Sequence, residues 1–335
     1  MPNPQLVEIL RGGIVESGHS GAVAVVDDAG SLVFALGDVD RPIFPRSAIK
    51  GFQALPLVET GAAERLKLQA AELALACASH AGEDDHVATA AGMLARAGRD
   101  EFCLECGAHW PSSDRAAKAL FARGAKPSAL HNNCSGKHSG FICLAVETGQ
   151  DPKGYVEPDH PTMRMVTRAV AEMTGYDLER TARGIDGCSI PTFAIPLRHL
   201  ATGFARFATG AGLAPDRAKA AETLRVAVAQ SPFHVAGTGR FDTVTMEKLG
   251  LRAFVKTGAE GVYCAALPEQ GLGIAIKIDD GASRASETVM AAMLARFLAL
   301  DPLADRAVMA RLDQPIENWN KREVGRMRAA PALVT

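Results

Sequence analysis

Hydrophobic positions change their period twice along the chain. Over the first 45 residues they fall in short runs rich in Val, Ile and Leu, at 6–10, 22–27 and 32–36, which predict strands. Asp27-Asp28-Ala29-Gly30 between the last two reads as a hairpin turn. From about Ser47 to Arg240 the spacing is helical. Helices are predicted over 63–78, 85–97, 114–123, 161–174 and 215–230, separated by Gly and Pro clusters. Strand pattern returns at 252–256, 262–266 and 272–278, with Leu267-Pro268-Glu269-Gln270-Gly271 as a turn. An apolar helix over 286–300 and a shorter one over 302–312 follow. Residues 329–335 lack periodicity and are expected to be loose or docked.

Strands at both ends thus bracket a helical block. The economical solution is an α/β fold with one antiparallel sheet built from both chain ends and flanked by helices, the helical region being inserted as a second layer. The chain is read as a single unit over 1–335, with 1–45 and 241–335 as the sheet layer and 46–240 as the mainly helical layer.

Composition narrows the classes. The 335 residues are 47 % hydrophobic and 22 % charged, with net charge −2, so disorder is not expected. No basic excess is available to neutralise phosphates, and a nucleic-acid partner is disfavoured. No apolar run approaches the ~18 residues of a membrane span. No signal peptide is visible, and the seven cysteines are an odd number. Free thiols in a cytoplasmic protein are expected rather than a disulfide framework.

Candidate chemistry begins where strands give way to helix, at Pro45-Arg46-Ser47-Ala48-Ile49-Lys50. A helix places Ser47 and Lys50 on one face. Serine becomes a nucleophile when a base takes its proton, and a lysine can be that base if burial and nearby positive charge push it neutral. A chain of this length contains roughly one Ser-x-x-Lys by chance, however. Downstream, Lys256-Thr257-Gly258 closes a predicted strand. That order of Ser-x-x-Lys and Lys-Thr-Gly occurs in serine penicillin-recognising enzymes. A solvated strand-end lysine is the plain alternative. Ser79, in Ala78-Ser79-His80-Ala81-Gly82, is either a second active serine or a turn residue. The asparagine expected two positions later in that set is replaced by Ala81. His80 and His86 flank Glu83, Asp84 and Asp85, a cluster read as helix capping in preference to metal binding.

The densest polar stretch is 131–140, His131-Asn132-Asn133-Cys134-Ser135-Gly136-Lys137-His138-Ser139-Gly140. It lacks the full phosphate-loop pattern. Asp186-Gly187-Cys188-Ser189-Ile190-Pro191 forms a second cluster. Cys134 and Cys188 are a candidate thiolate pair for zinc, with His138, Lys137 or Asp186 nearby; a cysteine nucleophile at Cys134 is the competing chemistry. Histidine would be the ordinary third ligand. Cys103 and Cys106 are read as structural, and Cys77, Cys143 and Cys264 as buried thiols.

Taken together, 45–50 with Phe52-Gln53-Ala54-Leu55-Pro56-Leu57, Ala78-Ser79-His80, Cys106-Gly107-Ala108-His109, 131–138, Asp186-Gly187-Cys188 and Lys256-Thr257-Gly258-Ala259-Glu260-Gly261 resemble the bacterial asparaginase II family of the Rhizobium etli type. The resemblance spans nearly the whole chain. It implies hydrolysis of L-asparagine to L-aspartate and ammonia, a fold similar to serine β-lactamases, penicillin-binding proteins and glutaminases, and a homodimer. It also implies two Ser-Lys tandems, Ser47 with Lys50 and Ser79 with Lys256, and substrate contacts at Arg46, His138 and Asp186. A zinc site is implied on Cys134, Lys137 and Cys188. Ser47 is expected to attack the carboxamide, although Ser79 could hold the nucleophile. The rival readings are a glutaminase or another small-amide hydrolase of the same fold, and a non-catalytic zinc or amino-acid binding protein.

Overall fold

The two ends of the chain meet in one antiparallel sheet of eight strands. The structure is a computed structural model and describes residues 2–334. Strands β1 (Gln5–Arg11), β2 (Ile14–Asp27) and β3 (Leu32–Leu36) come from the start of the chain. Strands β4 (Phe254–Thr257), β5 (Val262–Leu267), β6 (Leu272–Ile278), β7 (Asp313–Glu317) and β8 (Glu323–Ala329) come from its end. The order is β7-β8-β1-β2-β6-β5-β4, with β3 also paired to β2. The ends are joined where β2 runs against β6, with Val23 opposite Ile276 and Val25 opposite Ile274. Both predicted turns form: Gly30 N–H donates to the Asp27 carbonyl, and Gly271 N–H to that of Pro268.

The helical layer contains α1 (Ala70–Ala76), α2 (Asp84–Arg96), α3 (Ser135–Glu147), α4 (Pro161–Thr174), α5 (Leu197–Thr209) and α6 (Pro215–Gln230), followed by α7 (Phe241–Leu249) and α8 (Ser283–Phe297). Strand β6 is buried along nearly its whole length, on both faces. Helix α5 lies directly on it, and α8 packs against β5 and β6. The closeness of α5 has a single-residue cause. A Cβ on Gly273 would stand 2.0 Å from the Ala201 carbonyl oxygen and 2.2 Å from the Ala205 nitrogen.

Several elements differ from the sequence pattern. The expected helix over 63–78 is two helices, Ala62–Arg65 and α1. Lys67 turns left-handed (φ 54°) and closes the first, while Gln69 and Glu72 form a capping box that starts the second. The helix expected over 302–312 is a single turn, Arg306–Met309, and the last long helix begins at Ser283 and ends at Phe297. The expected sheet layer from 241 onward opens with a helix, α7, whose Thr243-Val244-Thr245 run favours strand over helix. Helix α5 has Gly203 at its centre, an apparent breaker. Glycine is needed there because the Phe52 ring lies 2.9 Å from where a Cβ would be. Strands β7 and β8 were absent from the pattern. In β7 exposed and half-buried residues alternate, as in a strand with neither face in the core. At the chain end, Pro331–Val334 is a helical turn with Leu333 fully buried, so that part of 329–335 is docked; Thr335 lies outside the described residues.

The seating of α5 is open to test. Gly273→Ala should lower stability by about 1–3 kcal/mol through overpacking, read as a lower denaturant midpoint at unchanged m-value. An unchanged midpoint would mean that α5 does not rest on that strand.

Candidate active site

Ser47 and Lys50 sit where a 3-10 turn, Arg46–Ile49, runs into a short α-helix, Lys50–Gln53. Aromatic packing fixes this segment. Phe52 contacts Phe204 and Phe207 of α5 at centroid distances of 4.6 and 5.7 Å, and Phe207 contacts Phe254 of β4 at 5.0 Å. Phe254 and Lys256 lie two apart on one strand and so share a face. The same packing therefore brings Lys256 to the segment that carries Ser47. Gly258 completes the contact, since a Cβ there would be 2.6 Å from the Pro45 carbonyl oxygen.

Lys50 is 1 % exposed. Its Nζ donates to the Ala78 carbonyl (2.5 Å), Ser79 Oγ (2.9 Å) and Cys134 Sγ (3.1 Å). Ser79 follows α1 in a loop held by Ser79 N–H to the Val235 carbonyl and His80 N–H to the Asn133 carbonyl. Among the described residues the hydroxyl that Lys50 engages is thus that of Ser79. Ser47 is half-buried, and its hydroxyl makes no hydrogen bond to another described residue. Lys256 is fully buried and donates to the Thr257 carbonyl at 2.9 Å. Burial pulls it down to about 7, aided by Lys50 and Arg240 and opposed by Asp242.

Cys134 caps α3, and Lys137 lies in its first, fully buried turn. Cys188 and Asp186 occupy the tip of a hairpin formed by Arg183–Ile185 and Pro191–Phe193. Lys137 Nζ donates to Cys188 Sγ at 3.1 Å. Cys188, beside it, and the nearby Lys50 and Lys137 pull the Cys134 thiol well below its usual range. The sulfur pair is therefore faced by two lysines, Lys50 on Cys134 and Lys137 on Cys188. Burial alone would lower Lys137, but Cys188, Cys134 and Asp186 reverse the direction and hold its proton. The result is one polar chain: Ser79, Lys50, Cys134, Cys188, Lys137.

Arg46 and Asp186 pair at 2.7 Å. Burial would raise the Asp186 carboxyl, yet Arg46 and Lys137 bring it below its ordinary value. His138 is buried, with Nδ1 2.7 Å from the Tyr155 hydroxyl. Tyr155 also accepts the Glu105 N–H, and His138 Nε2 has no partner among the described residues. Three left-handed non-glycine residues, Arg46 (φ 51°), Ser189 (φ 77°) and Glu260 (φ 57°), lie in the three segments that frame this site. Such conformations cost on the order of 1 kcal/mol each and cluster at functional sites.

The pattern missed two supports. His109 Nε2 accepts the Asn133 N–H (2.9 Å), and Asn132 ties its own side chain to the Cys106 carbonyl and the Cys134 N–H. The Cys106-Gly107-Ala108-His109 run thus shapes the turn that presents Cys134. Asp242, on α7, accepts the Thr257 N–H behind Lys256, and no sequence signal marks it. The capping reading of Glu83 and His86 agrees with the structure, where they form a capping box at the start of α2. All seven cysteines are free thiols.

Two sulfurs and one lysine amine converge, a donor set that suits a soft divalent cation once Lys137 sheds its proton. Among the described residues no group of three or more His, Cys, Asp or Glu side chains could hold a metal ion.

No helix among the described residues is long and apolar enough to cross a membrane. No curated protein sequence matches the chain significantly. Solved structures are similar to it at low identity. A β-lactamase from Mycobacterium bovis is 17 % identical over 87 % of this chain and 94 % of its own, with a TM-score of 0.39. The simvastatin synthase of Aspergillus terreus is 13 % identical over 77 % and 86 %, with a TM-score of 0.39. Mglu is 17 % identical over 87 % of this chain with a TM-score of 0.35, and the match spans 59 % of its length. These likenesses are loose and do not decide the family. The model of the L-asparaginase II family does: it matches residues 7–329, and the chain belongs to that family of amidohydrolases.

Proposed function

We propose that the protein hydrolyses L-asparagine to L-aspartate and ammonia through an acyl-enzyme on Ser47. Family membership supports the substrate class. The observation that carries the reading is the buried Lys50, bound to a second serine and next in line to a sulfur pair. The surroundings are net positive, with Arg46, Lys50 and Lys137 close together. This suits both the substrate's α-carboxylate and the oxyanion formed during attack.

Ser47 Oγ attacks the carboxamide carbon as its proton passes to Lys50. Ser79, hydrogen-bonded to Lys50, carries that proton on toward Lys256, whose neutral form is populated near pH 7. The tetrahedral intermediate collapses by breaking the C–N bond, and the returned proton lets ammonia leave. Water then attacks the ester by the same proton route, which releases aspartate and restores Ser47. The Arg46–Asp186 pair sits at the mouth of the site, where it can anchor the amino-acid head group.

Cys134, Lys137 and Cys188 would hold a zinc ion. When bound, zinc would supply a fixed positive point for the head group, since two thiolates reduce its Lewis acidity. We read the assembly as a cytoplasmic homodimer, by the same resemblance that suggests the metal.

Three outcomes are expected. Mass spectrometry of protein quenched during turnover should show an aspartyl adduct, lost in Ser47→Ala; an adduct that persists in Ser47→Ala and vanishes in Ser79→Ala moves the nucleophile to Ser79. Because Lys256 must be neutral to accept a proton, kcat should rise as pH passes through about 7. Lys256→Met should remove that rise and cost roughly 100- to 10,000-fold in kcat; a full-rate variant with the same pH profile removes Lys256 from the mechanism. Metal analysis of the purified protein should find about one zinc per chain. Chelation, or Cys188→Ser, should remove it and raise KM for asparagine more than it lowers kcat. Zinc-free protein with an unaltered KM would exclude the metal reading. Comparing kcat/KM for asparagine and glutamine separates this activity from a glutaminase.

A further inference from the structure

Lys256 has no exposed surface, so whatever holds it must come from inside the protein. Strand β4 is the last in the sheet order, and no further strand pairs with its outer edge. Helix α7 covers that edge. Asp242, in its first turn and 1 % exposed, takes the Thr257 N–H on Oδ1 at 2.8 Å. Lys256 Nζ takes up the Thr257 carbonyl at 2.9 Å. Thr257 is thus fixed at both backbone groups, one by Asp242 and the other by the lysine itself. Gly258 follows immediately and abuts the Pro45 carbonyl beside Ser47.

We propose that Asp242 is a positioning residue for Lys256: it pins the Lys256–Thr257 peptide and supplies the counter-charge against which the buried lysine gains and loses its proton. This rests on the reading of Lys256 as a proton-transfer group. A buried carboxylate used only as a strand cap would be an expensive choice, since a neutral acceptor such as asparagine makes the same bond. Its charge has a use if a second buried charge comes and goes nearby.

The groups around Lys256 bear this out. Asp242 draws a proton onto it, as does Cys134 more weakly, while Lys50 and Arg240 push the proton off. Cys77 and Cys264 also face it, but burial drives both thiols up, Cys77 to about 12, and both are neutral. Asp242 in turn faces Tyr263, Glu287 and Arg240. The Tyr263 hydroxyl lies beside the carboxylate without hydrogen-bond geometry and is kept protonated by burial. Glu287 is raised by burial and then by Asp242 itself. Asp242 is therefore the main negative charge that Lys256 feels.

The test reads the lysine directly, without substrate. In 13C-lysine-labelled protein, the Lys256 ε-carbon should titrate near pH 7 in the wild type. Asp242→Asn keeps an acceptor for the Thr257 N–H but removes the charge, and should move that titration about one unit to lower pH. The rise of kcat with pH should move with it. Asp242→Ala also removes the acceptor, and should lower kcat about tenfold beyond the Asn variant as the peptide loosens. If neither variant folds, the wild type suffices: the Asp242 carboxyl carbon should shift as Lys256 loses its proton. A Lys256 titration unmoved in Asp242→Asn, or a carboxyl carbon indifferent to Lys256, overturns the proposal. A titration that moves while Lys256→Met keeps full turnover leaves Asp242 in place and overturns only the catalytic role of Lys256.

Discussion

Three lysines end inside this protein, and no other feature constrains it as much. A buried ammonium without partners costs several kcal/mol or gives up its proton. The structure deals with each lysine differently. Lys137 lies against the sulfur pair and Asp186, and keeps its proton. Lys50 is surrounded by three oxygens and a sulfur at hydrogen-bond distance. Lys256 has one carbonyl and a carboxylate, and burial prevails. The fold thus sets up a gradient of proton affinity between residues 119 positions apart in the chain, counting from Lys137 to Lys256. Such a gradient is what a hydrolase needs when one proton must leave a hydroxyl and later reach a leaving amine.

That gradient depends on rigid placement, and the apolar layer provides it. The Phe52, Phe204, Phe207 and Phe254 rings lock the Ser47 segment, α5 and β4 to one another. Glycines at 203, 258 and 273 remove the methylene that would hold these pieces apart. Adding one Cβ at 258 or 273 would collide with backbone, and at 203 with the Phe52 ring. Packing energy and catalytic geometry therefore draw on the same contacts, and a core substitution far from Ser47 can displace Lys256 without touching it.

Much of this was legible in the sequence, and the limits have physical causes. Helices α4 and α6 and strand β6 follow the pattern to the residue, because each has clear punctuation and one consistent period. The sheet drawn from both chain ends was legible because Val- and Ile-rich runs are confined to those ends. Strands β7 and β8 were not, because neither alternates against a continuous core. Helix α5 was hidden by Gly203, whose reason is the Phe52 ring, a contact that crosses 151 positions. The site residues stood out as motifs, but motifs do not carry partners. Spacing puts Ser47 beside Lys50, whereas in space the lysine reaches across to Ser79 and Cys134. Asp242 belongs to no motif at all, and only the covered strand edge reveals it.

The sulfur pair and the proton route are not separate modules, because Cys134 belongs to both. Its thiolate is stabilised by neighbouring Cys188, Lys50 and Lys137. A cation between the two sulfurs would displace the Cys188 proton and compete with both lysines for the same negative charge. Lys137 would have to give up its proton to become a ligand. Lys50 would lose Cys134 as an acceptor and be left with the Ser79 hydroxyl and the Ala78 and Asn133 carbonyls. Metal content and the hydrogen bonding of Lys50 are therefore linked through Cys134. A metal held on the sulfur pair can change the rate of the reaction without touching the bond that breaks.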